Sequence, residues 1–457
     1  MGFALSVLYF VTYYLTPGTV FGSLAVARVQ LILAVIALLI SLPKLMRATI
    51  LKTPQFVALI GLSFATFLSV LIAARWPGGA VQAVLGFIPC AFAYYLVVLQ
   101  CNSKKKLKLL VLMLLFVCLF VIAHGCIKQI YGIPDNAPPD TEATDNQYLI
   151  SMKNNAGDWF YRLRGLGEIN DPNDFGQLIV CAIPLLFIFW RAKKIINNIV
   201  FVILPVCTLL FGTYLTHSRG ALVALTAMAV VAGRRRIGTL PALILAAGLF
   251  AGAIALHFTG GRDISIDAGS DRTALWSESM QALKNHPLFG VGIGSLGEYT
   301  ETHHTAHNSV MVCAAELGFF GLFYWCMFLF STLRDAIMLS SPTKVSEAEL
   351  TIPVQKLFPR PESKIESVDK IEINQLGKLL VLSLTGFLIA GWFLSRAYAL
   401  TFFLLGGMVS VVYEMALQRG MIPPRMRLAR TMLNAVGIAI LLVLLMYIML
   451  RISNLTR

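Results

Sequence analysis

Long apolar runs separated by short polar segments repeat along the whole chain. A helix needs about 20 apolar residues to cross the hydrocarbon core of a bilayer, with a range of roughly 17 to 25. Runs close to that length lie at residues 2–16, 24–43, 54–74, 79–100, 107–130, 173–190, 197–215, 219–232, 238–257, 306–333, 376–395, 398–417 and 429–451. The pattern predicts an all-α polytopic membrane protein, with about 12 to 14 transmembrane helices in a single domain over residues 1–457.

Composition agrees with this fold class. The chain is 57% hydrophobic and 13% charged, whereas soluble proteins carry about 25% charged residues. The first run could be a signal peptide, since Ala25-Val26-Ala27 resembles a cleavage site. It lacks a basic segment before the apolar run, so we expect a retained helix.

Three longer polar segments interrupt the bundle, at residues 131–172, 259–305 and 334–375. In the second segment, Asp271 can cap a short amphipathic helix that ends at Asn285. The apolar positions of this helix are Leu275, Trp276, Met280 and Leu283. The third segment is polar and mixed in charge, which is typical of a flexible linker.

The formal net charge of +14 is distributed unevenly. Most of the 37 Lys and Arg residues fall in alternate loops, one of which is segment 334–375. Basic loops remain in the cytoplasm. We therefore expect segment 334–375 to be cytoplasmic and segments 131–172 and 259–305 to be periplasmic. The basic excess indicates topology, and no nucleic-acid partner is expected.

Several ionisable residues are predicted at the periplasmic face. Arg219 lies in a very short turn, Arg272 near the start of the amphipathic helix, and Arg162 and Arg164 where the first long loop re-enters the membrane. Charged residues near membrane depth often mark functional sites. Each arginine could instead be a lipid anchor that extends to the headgroups.

Three histidines, His303, His304 and His307, precede the tenth apolar run. The first and third are four residues apart and could share a metal, but no third ligand is spaced convincingly. The eight cysteines contain no CxxC motif. We expect no metal and no cofactor. Glu316 is expected to face away from His307 and to bond to neighbouring helices.

Arginines clamp phosphates through paired donors, and histidine transfers protons near neutral pH. Together these residues fit displacement of a diphosphate leaving group, with a histidine deprotonating an incoming hydroxyl. A transporter that only binds such a diphosphate is the competing interpretation, although transporters place their sites near the membrane midplane.

Five sequence blocks resemble the signature blocks of the O-antigen ligase and polymerase superfamily. They are RLRGLGEINDPNDFG at 162–176, SRGA at 218–221, DRTALW at 271–276, HPLFGVGIGSL at 286–296 and HNSVMVCAAELGFFG at 307–321. The resemblance covers roughly residues 160 to 330, in the superfamily's order.

The resemblance implies a multi-pass enzyme of the bacterial inner membrane whose active site faces the periplasm. Its donor would be an undecaprenyl-diphosphate-linked glycan. The acceptor would be lipid A-core for a ligase, or another lipid-linked glycan for a polymerase. By motif, Arg219 and Arg272 would bind the diphosphate, with Arg164 a weaker candidate. His307 would be the catalytic histidine, and His304 is its rival.

A single base without an obvious nucleophile favours an inverting, metal-independent glycosyltransferase. Ligase and polymerase need the same clamp and base, and they differ only in the acceptor. The sequence blocks favour the ligase, with the polymerase as the alternative.

Overall fold

The structure is a computed structural model that describes residues 2–20, 23–24, 28–45, 53–131, 148–153, 157, 159–260, 267–340 and 364–455. The helices in its first half are α1 (Gly2–Leu15), α2 (Val29–Leu45), α3 (Pro54–Ala73), α4 (Pro77–Gln100), α5 (Lys104–Tyr131), α6 (Pro172–Leu185) and α7 (Leu204–Thr216). Those in its second half are α8 (Arg219–Ile237), α9 (Thr239–Ala255), α10 (Asp267–Asn285), α11 (Ser309–Ser340), α12 (Lys364–Gly391), α13 (Leu400–Gln418) and α14 (Leu428–Leu455).

The bundle confirms the predicted fold class. Among the described residues, nine helices are long and apolar enough to cross a membrane, and three shorter apolar helices accompany them. Each predicted apolar run coincides with a helix. The chain is therefore an all-α polytopic membrane protein.

Some predicted boundaries differ from the structure. Helix α10 begins at Asp267, four residues before the predicted cap at Asp271. Helix α11 ends at Ser340 and helix α12 begins at Lys364. Both ends of segment 334–375 are therefore helical. Residues 341–363 lie outside the described residues.

Segment 131–172 contains a hairpin that the sequence pattern did not suggest. Strands β1 (Leu149–Lys153) and β2 (Trp159–Leu163) pair antiparallel, with Leu149 opposite Leu163. Residues 132–147 of this segment lie outside the described residues.

Helices α11 and α13 form the centre of the bundle. Helix α11 packs against α3, α12, α13 and α14, and α13 also packs against α4. Aromatic rings fill the space between them: the Phe387 and Phe402 rings stack at 5.1 Å, and Phe328 packs on Phe402 at 5.0 Å. Helices α9 and α14 expose many large apolar side chains, as expected of surfaces that face lipid.

A buried charge is paired near the C-terminal end of α11. The Asp335 carboxylate is almost fully buried. It accepts hydrogen bonds from Gln55 Nε2 at 3.0 Å and from Arg425 Nε at 3.1 Å. A buried carboxylate is costly unless it is paired and hydrogen-bonded, so this contact ties α3, α11 and the chain after α13 together.

Helix α11 breaks at Gly318, which has a φ of 65° and a ψ of −169°. A break inside a membrane protein leaves backbone groups that need partners, and the loop after α10 supplies them. The Phe319 and Phe320 N–H groups donate to the carbonyls of Pro287 and Leu288 at 2.8 and 3.1 Å.

The same loop also pairs with the helical turn before the break. The N–H groups of Val291 and Gly292 donate to the carbonyls of Ala315 and Glu316 at 2.9 and 3.0 Å. The buried Glu316 carboxylate accepts hydrogen bonds from the Gly294 and Leu296 N–H groups. The loop is therefore part of the bundle interior, and the Glu316 carboxylate bonds to this loop, where the sequence predicted bonds to neighbouring helices.

We expect Gly318→Ala to destabilise the protein. A Cβ at this position would clash with the Leu288 carbonyl, and this combination of φ and ψ is almost restricted to glycine and costs another residue about 1–3 kcal/mol. The variant should melt at a lower temperature in detergent, measured by loss of the monodisperse size-exclusion peak after heating. Gly248→Ala is the matched control, because nothing lies within 4 Å of its added Cβ. Equal melting of the two variants would contradict the role of the break.

Candidate functional site

Arg219 is positioned by a sharp turn between α7 and α8. His217 takes a left-handed conformation with a φ of 47° and ends α7. Ser218 then caps α8, its Oγ accepting the Ala221 N–H at 3.3 Å. Arg219 is consequently the first residue of α8, where the free backbone N–H groups and the helix dipole favour anions.

The side chain of His217 packs within this turn. Its Nδ1 lies 2.9 Å from the Phe258 carbonyl, and its ring packs edge-on against Phe160 and Tyr214. These contacts fix the turn that carries Arg219.

Arg272 lies in the second turn of α10, over the ring of Phe393. The guanidinium carbon is 5.7 Å from the ring centroid. Phe393 also stands against the start of α8, because a Cβ added to Gly220 would lie 3.5 Å from the Phe393 Cβ. One aromatic ring therefore lies between the elements that carry the two candidate arginines.

The two arginines also interact electrostatically. Burial lowers the pKa of Arg272, and the positive charge of Arg219 lowers it further. An arginine nevertheless keeps its charge in a protein. Two positive charges held together in this way favour an anion that both can contact.

His307 is held on both sides by hydrogen bonds to its backbone and to its neighbours. Its N–H donates to Ser395 Oγ at 3.0 Å, and the preceding carbonyl, of Ala306, accepts the Trp276 indole N–H at 2.8 Å. Asn308 caps α11, its Oδ1 accepting the N–H groups of Val310 and Met311. The ring therefore projects from a fixed backbone.

The backbone at His307 has a φ of 46°. A non-glycine residue adopts this left-handed conformation rarely, and such strain often accompanies a functional site. The hydrogen bonds on both sides of His307 account for how the conformation is maintained.

The charges around His307 set its proton affinity. Burial lowers the pKa of His307, and the positive charge of Arg272 lowers it further, as does His304; Asp171 acts in the opposite direction. The residue is exposed at the surface, yet neighbouring protein displaces enough water to lower the pKa. The imidazole is therefore neutral at pH 7 and able to accept a proton.

The other two histidines of the cluster lie beside His307, and the Thr300 hydroxyl donates to the His304 carbonyl at 2.8 Å. The His304 ring lies 6.5 Å from the His307 ring, and both His303 and His304 are exposed. His303 Nδ1 lies 3.3 Å from the Gly297 carbonyl. In the part of the chain that the structure describes, no group of three His, Cys, Asp or Glu residues could hold a metal ion.

Arg162 and Arg164 have different surroundings. Arg162 is buried and donates from Nε to the Thr216 carbonyl at 2.9 Å and from Nη2 to Asn173 Oδ1 at 3.0 Å. It ties the hairpin to the turn before Arg219 and to the start of α6. Arg164 Nη1 donates to the Asn170 carbonyl at 3.3 Å.

Sequence reasoning missed one segment of the site, residues 392–399. Apolar runs 376–395 and 398–417 left only residues 396–397 as a turn, whereas α12 ends at Gly391 and α13 begins at Leu400. The signal that could have revealed this segment is Arg396, a charge within an otherwise apolar stretch.

Segment 392–399 contacts most parts of the site. Ser395 bonds to His307 and Phe393 packs on Arg272. Arg396 forms ion pairs with Glu168 at 3.2 Å and Asp174 at 3.5 Å. The acidic residues before and within α6 thereby join the site through this segment.

Residues 204–326 match the sequence model of a family described as O-antigen ligase. The matched region contains Arg219, Arg272, His304 and His307. Arg164 and segment 392–399 lie outside it. The comparison with curated proteins gives no significant match. The family match confirms the resemblance to the O-antigen ligase and polymerase superfamily over this region.

Two substitutions of charged residues near His307 should shift its pKa in opposite directions. Asp171→Asn should lower the pKa of His307 further, since it removes the negative charge that raises it. Asp171 caps α6 by accepting the Asn173 N–H at 2.7 Å, and asparagine can make the same cap. Arg272→Gln should raise that pKa, because a positive neighbour is lost. The pKa follows from the pH dependence of His307 modification by diethyl pyrocarbonate, which attacks the neutral imidazole, read by peptide mass spectrometry.

Glu372→Gln is the control for this measurement. Glu372 pairs with Lys104 at the start of α5 and does not contribute to the pKa shift of His307, so its removal should leave the modification curve unchanged. Shifts of the same sign in Asp171→Asn and Arg272→Gln would contradict the proposed electrostatics.

Proposed function

We propose that this membrane protein, whose residues 204–326 match the O-antigen ligase family, transfers a glycan from an undecaprenyl-diphosphate carrier to an acceptor hydroxyl. The family match supports a ligase- or polymerase-like enzyme in general. The observation that carries the finer proposal is that three separate elements bring Arg272 within electrostatic reach of both Arg219 and His307, with the Phe393 side chain between Arg272 and the start of α8.

In the proposed reaction, the two arginines bind the diphosphate of the donor. Their planar guanidinium groups present paired N–H donors that match phosphate oxygens. The acceptor hydroxyl approaches the anomeric carbon from the side opposite the diphosphate.

Bond formation and bond cleavage then occur in one displacement. The acceptor oxygen forms a bond to the anomeric carbon as its proton moves to His307. The bond between that carbon and the diphosphate oxygen breaks, and its electron pair stays on the diphosphate, where Arg219 and Arg272 stabilise the added negative charge. One displacement inverts the anomeric configuration.

The lowered pKa of His307 suits this role, because the imidazole is ready to accept a proton at neutral pH. The imidazolium that forms is favoured by the negative charge of Asp171. The proton afterwards leaves to water, and the base is regenerated. His304 is the alternative base, since its ring lies next to that of His307. Arg164 is a further candidate for the diphosphate, on the resemblance of its sequence block to the superfamily.

The distribution of basic residues supports an orientation in which this site faces the periplasm of a bacterial inner membrane. Residues 131–172 and 259–305 are then periplasmic, and 334–375 cytoplasmic. A lipid-borne donor would reach the site from the bilayer that surrounds the bundle. Lipid A-core is the proposed acceptor, which makes the protein a ligase.

The experiment is a transfer assay with the purified full-length protein in nanodiscs. An undecaprenyl-diphosphate glycan is supplied, and lipid A-core or a second lipid-linked glycan is offered in turn. Glycosylated lipid A-core would identify a ligase, and an elongated lipid-linked glycan a polymerase. Binding of the donor without product in either arm would contradict the enzyme proposal and favour a transporter.

We expect His307→Ala to lower turnover by about 10²- to 10⁴-fold, the usual contribution of a general base. Donor binding, measured separately with a labelled donor, should remain. His303→Ala is the matched control within the same cluster and should have a milder effect. If His304→Ala is inactive while His307→Ala is active, His304 is the base. Loss of wild-type activity on chelation would indicate a metal-dependent mechanism instead.

We expect Arg219→Lys and Arg272→Lys each to lose most activity, because lysine keeps the charge but lacks the planar paired donors. The loss should appear in transfer and in donor affinity. Arg191→Lys makes the same change at an exposed residue in a predicted cytoplasmic loop and should remain active. Wild-type turnover in either site variant would show that the arginine serves only as a lipid anchor.

A further inference from the structure

Segment 392–399 bonds to the site and to the helices around it at nearly every residue. The Trp392 carbonyl accepts the Asn308 Nδ2–H at 3.1 Å. The Leu394 carbonyl accepts the Ser309 hydroxyl at 2.9 Å, and the Ser309 Oγ in turn accepts the Arg396 N–H at 3.2 Å. These bonds join the segment to the first residues of α11, directly after His307.

The far side of the segment is fixed to other helices. Arg396 pairs with Glu168 and Asp174, and Glu168 also accepts the Tyr13 hydroxyl at 2.8 Å. The Ala397 carbonyl accepts the Trp325 indole N–H at 2.9 Å. The segment is therefore a support that α6 and α11 hold directly and that α1 holds through Glu168.

Ser395 is the point at which this support meets His307. Its Oγ accepts the His307 N–H at 3.0 Å and shares a hydrogen bond with the Thr305 hydroxyl. The two bonds hold the backbone on either side of Ala306, where the chain enters the left-handed turn at His307. Without the Ser395 hydroxyl, the His307 N–H would lose its hydrogen-bond acceptor. The turn at His307 would then lose one of its restraints.

Phe393 lies two residues earlier and supports Arg272. Its ring contacts the Arg272 guanidinium on one side, and its Cβ approaches Gly220 on the other. One short segment therefore touches the candidate base and one arginine of the clamp.

We propose that Ser395 is a positioning residue for the transfer reaction, and that segment 392–399 sets the placement of His307 relative to Arg272. The proposal rests on the proposed function. Ser395 acts through the backbone of His307 and takes no part in proton transfer. A displacement of a reacting group by about 1 Å can cost 10²-fold in rate, so the support of a base can matter nearly as much as the base.

A double-mutant cycle tests this role. Ser395→Ala in the wild-type background should lower turnover by about 10- to 100-fold, with donor affinity unchanged. In the His307→Ala background, the same substitution should have no further effect, because the group that Ser395 positions is already gone. A general structural role would instead lower turnover and thermal stability in both backgrounds.

Two further variants complete the design. Ser395→Thr keeps the hydroxyl and should retain most of the turnover. Ser63→Ala is the matched control, since Ser63 donates only to the Leu59 carbonyl of its own helix, and it should behave as wild type. If Ser395→Ala cannot be purified as a folded protein, Ser395→Cys replaces it, because a thiol is a much weaker acceptor.

The outcomes separate this inference from the proposed function. Full turnover in Ser395→Ala, or equal losses in the two backgrounds, would overturn the positioning role while leaving the function intact. If His307→Ala itself has wild-type turnover, or wild-type protein transfers no glycan, the proposed function fails, and the positioning role fails with it. A loss confined to the wild-type background supports the inference.

Discussion

The backbone pairing at the Gly318 break organises the end of the bundle that carries the site. Helix α11 is the most connected helix, and at Gly318 it leaves helical geometry within a buried environment. The four N–H groups that cross between this break and loop 287–292 satisfy backbone atoms that lipid cannot. These hydrogen bonds also fix the end of α10. They thereby determine how α10, which carries Arg272, lies against α11, which follows His307.

A second constraint acts on the individual side chains. Arg219 depends on a left-handed turn at His217, His307 has a left-handed backbone itself, and Arg272 lies on a helix surface. None of these three residues is positioned only by the helix or turn that carries it. Segment 392–399 contacts two of them, and buried Arg162 bonds to the turn before the third. The site is therefore assembled from several parts of the chain, whose relative placement depends on the whole bundle.

The difference between the helices themselves and the contacts that assemble the site explains what could be predicted from the sequence. Long apolar runs marked the membrane-spanning helices found among the described residues, because lipid exposure makes that signal strong. Arg219, Arg272 and His307 were predicted as candidates because ionisable residues are rare in such a chain. The proposed role of Ser395 could not be recognised, since a serine at the end of a predicted apolar run carries no distinctive signal, and its importance depends on a contact across 88 positions of the chain. The hairpin was missed because its strands are short and lie in a polar segment.

The mutual repulsion of Arg219 and Arg272 has a consequence for the reaction cycle. A clamp of this kind responds to the charge of its ligand, and in the proposed reaction that charge changes during turnover. The carrier diphosphate leaves the displacement with one more negative charge than it had as donor, so the arginines hold it more strongly after transfer than before. The free carrier would compete with new donor for the site, and the rate of the enzyme would depend on how quickly the membrane removes its spent lipid.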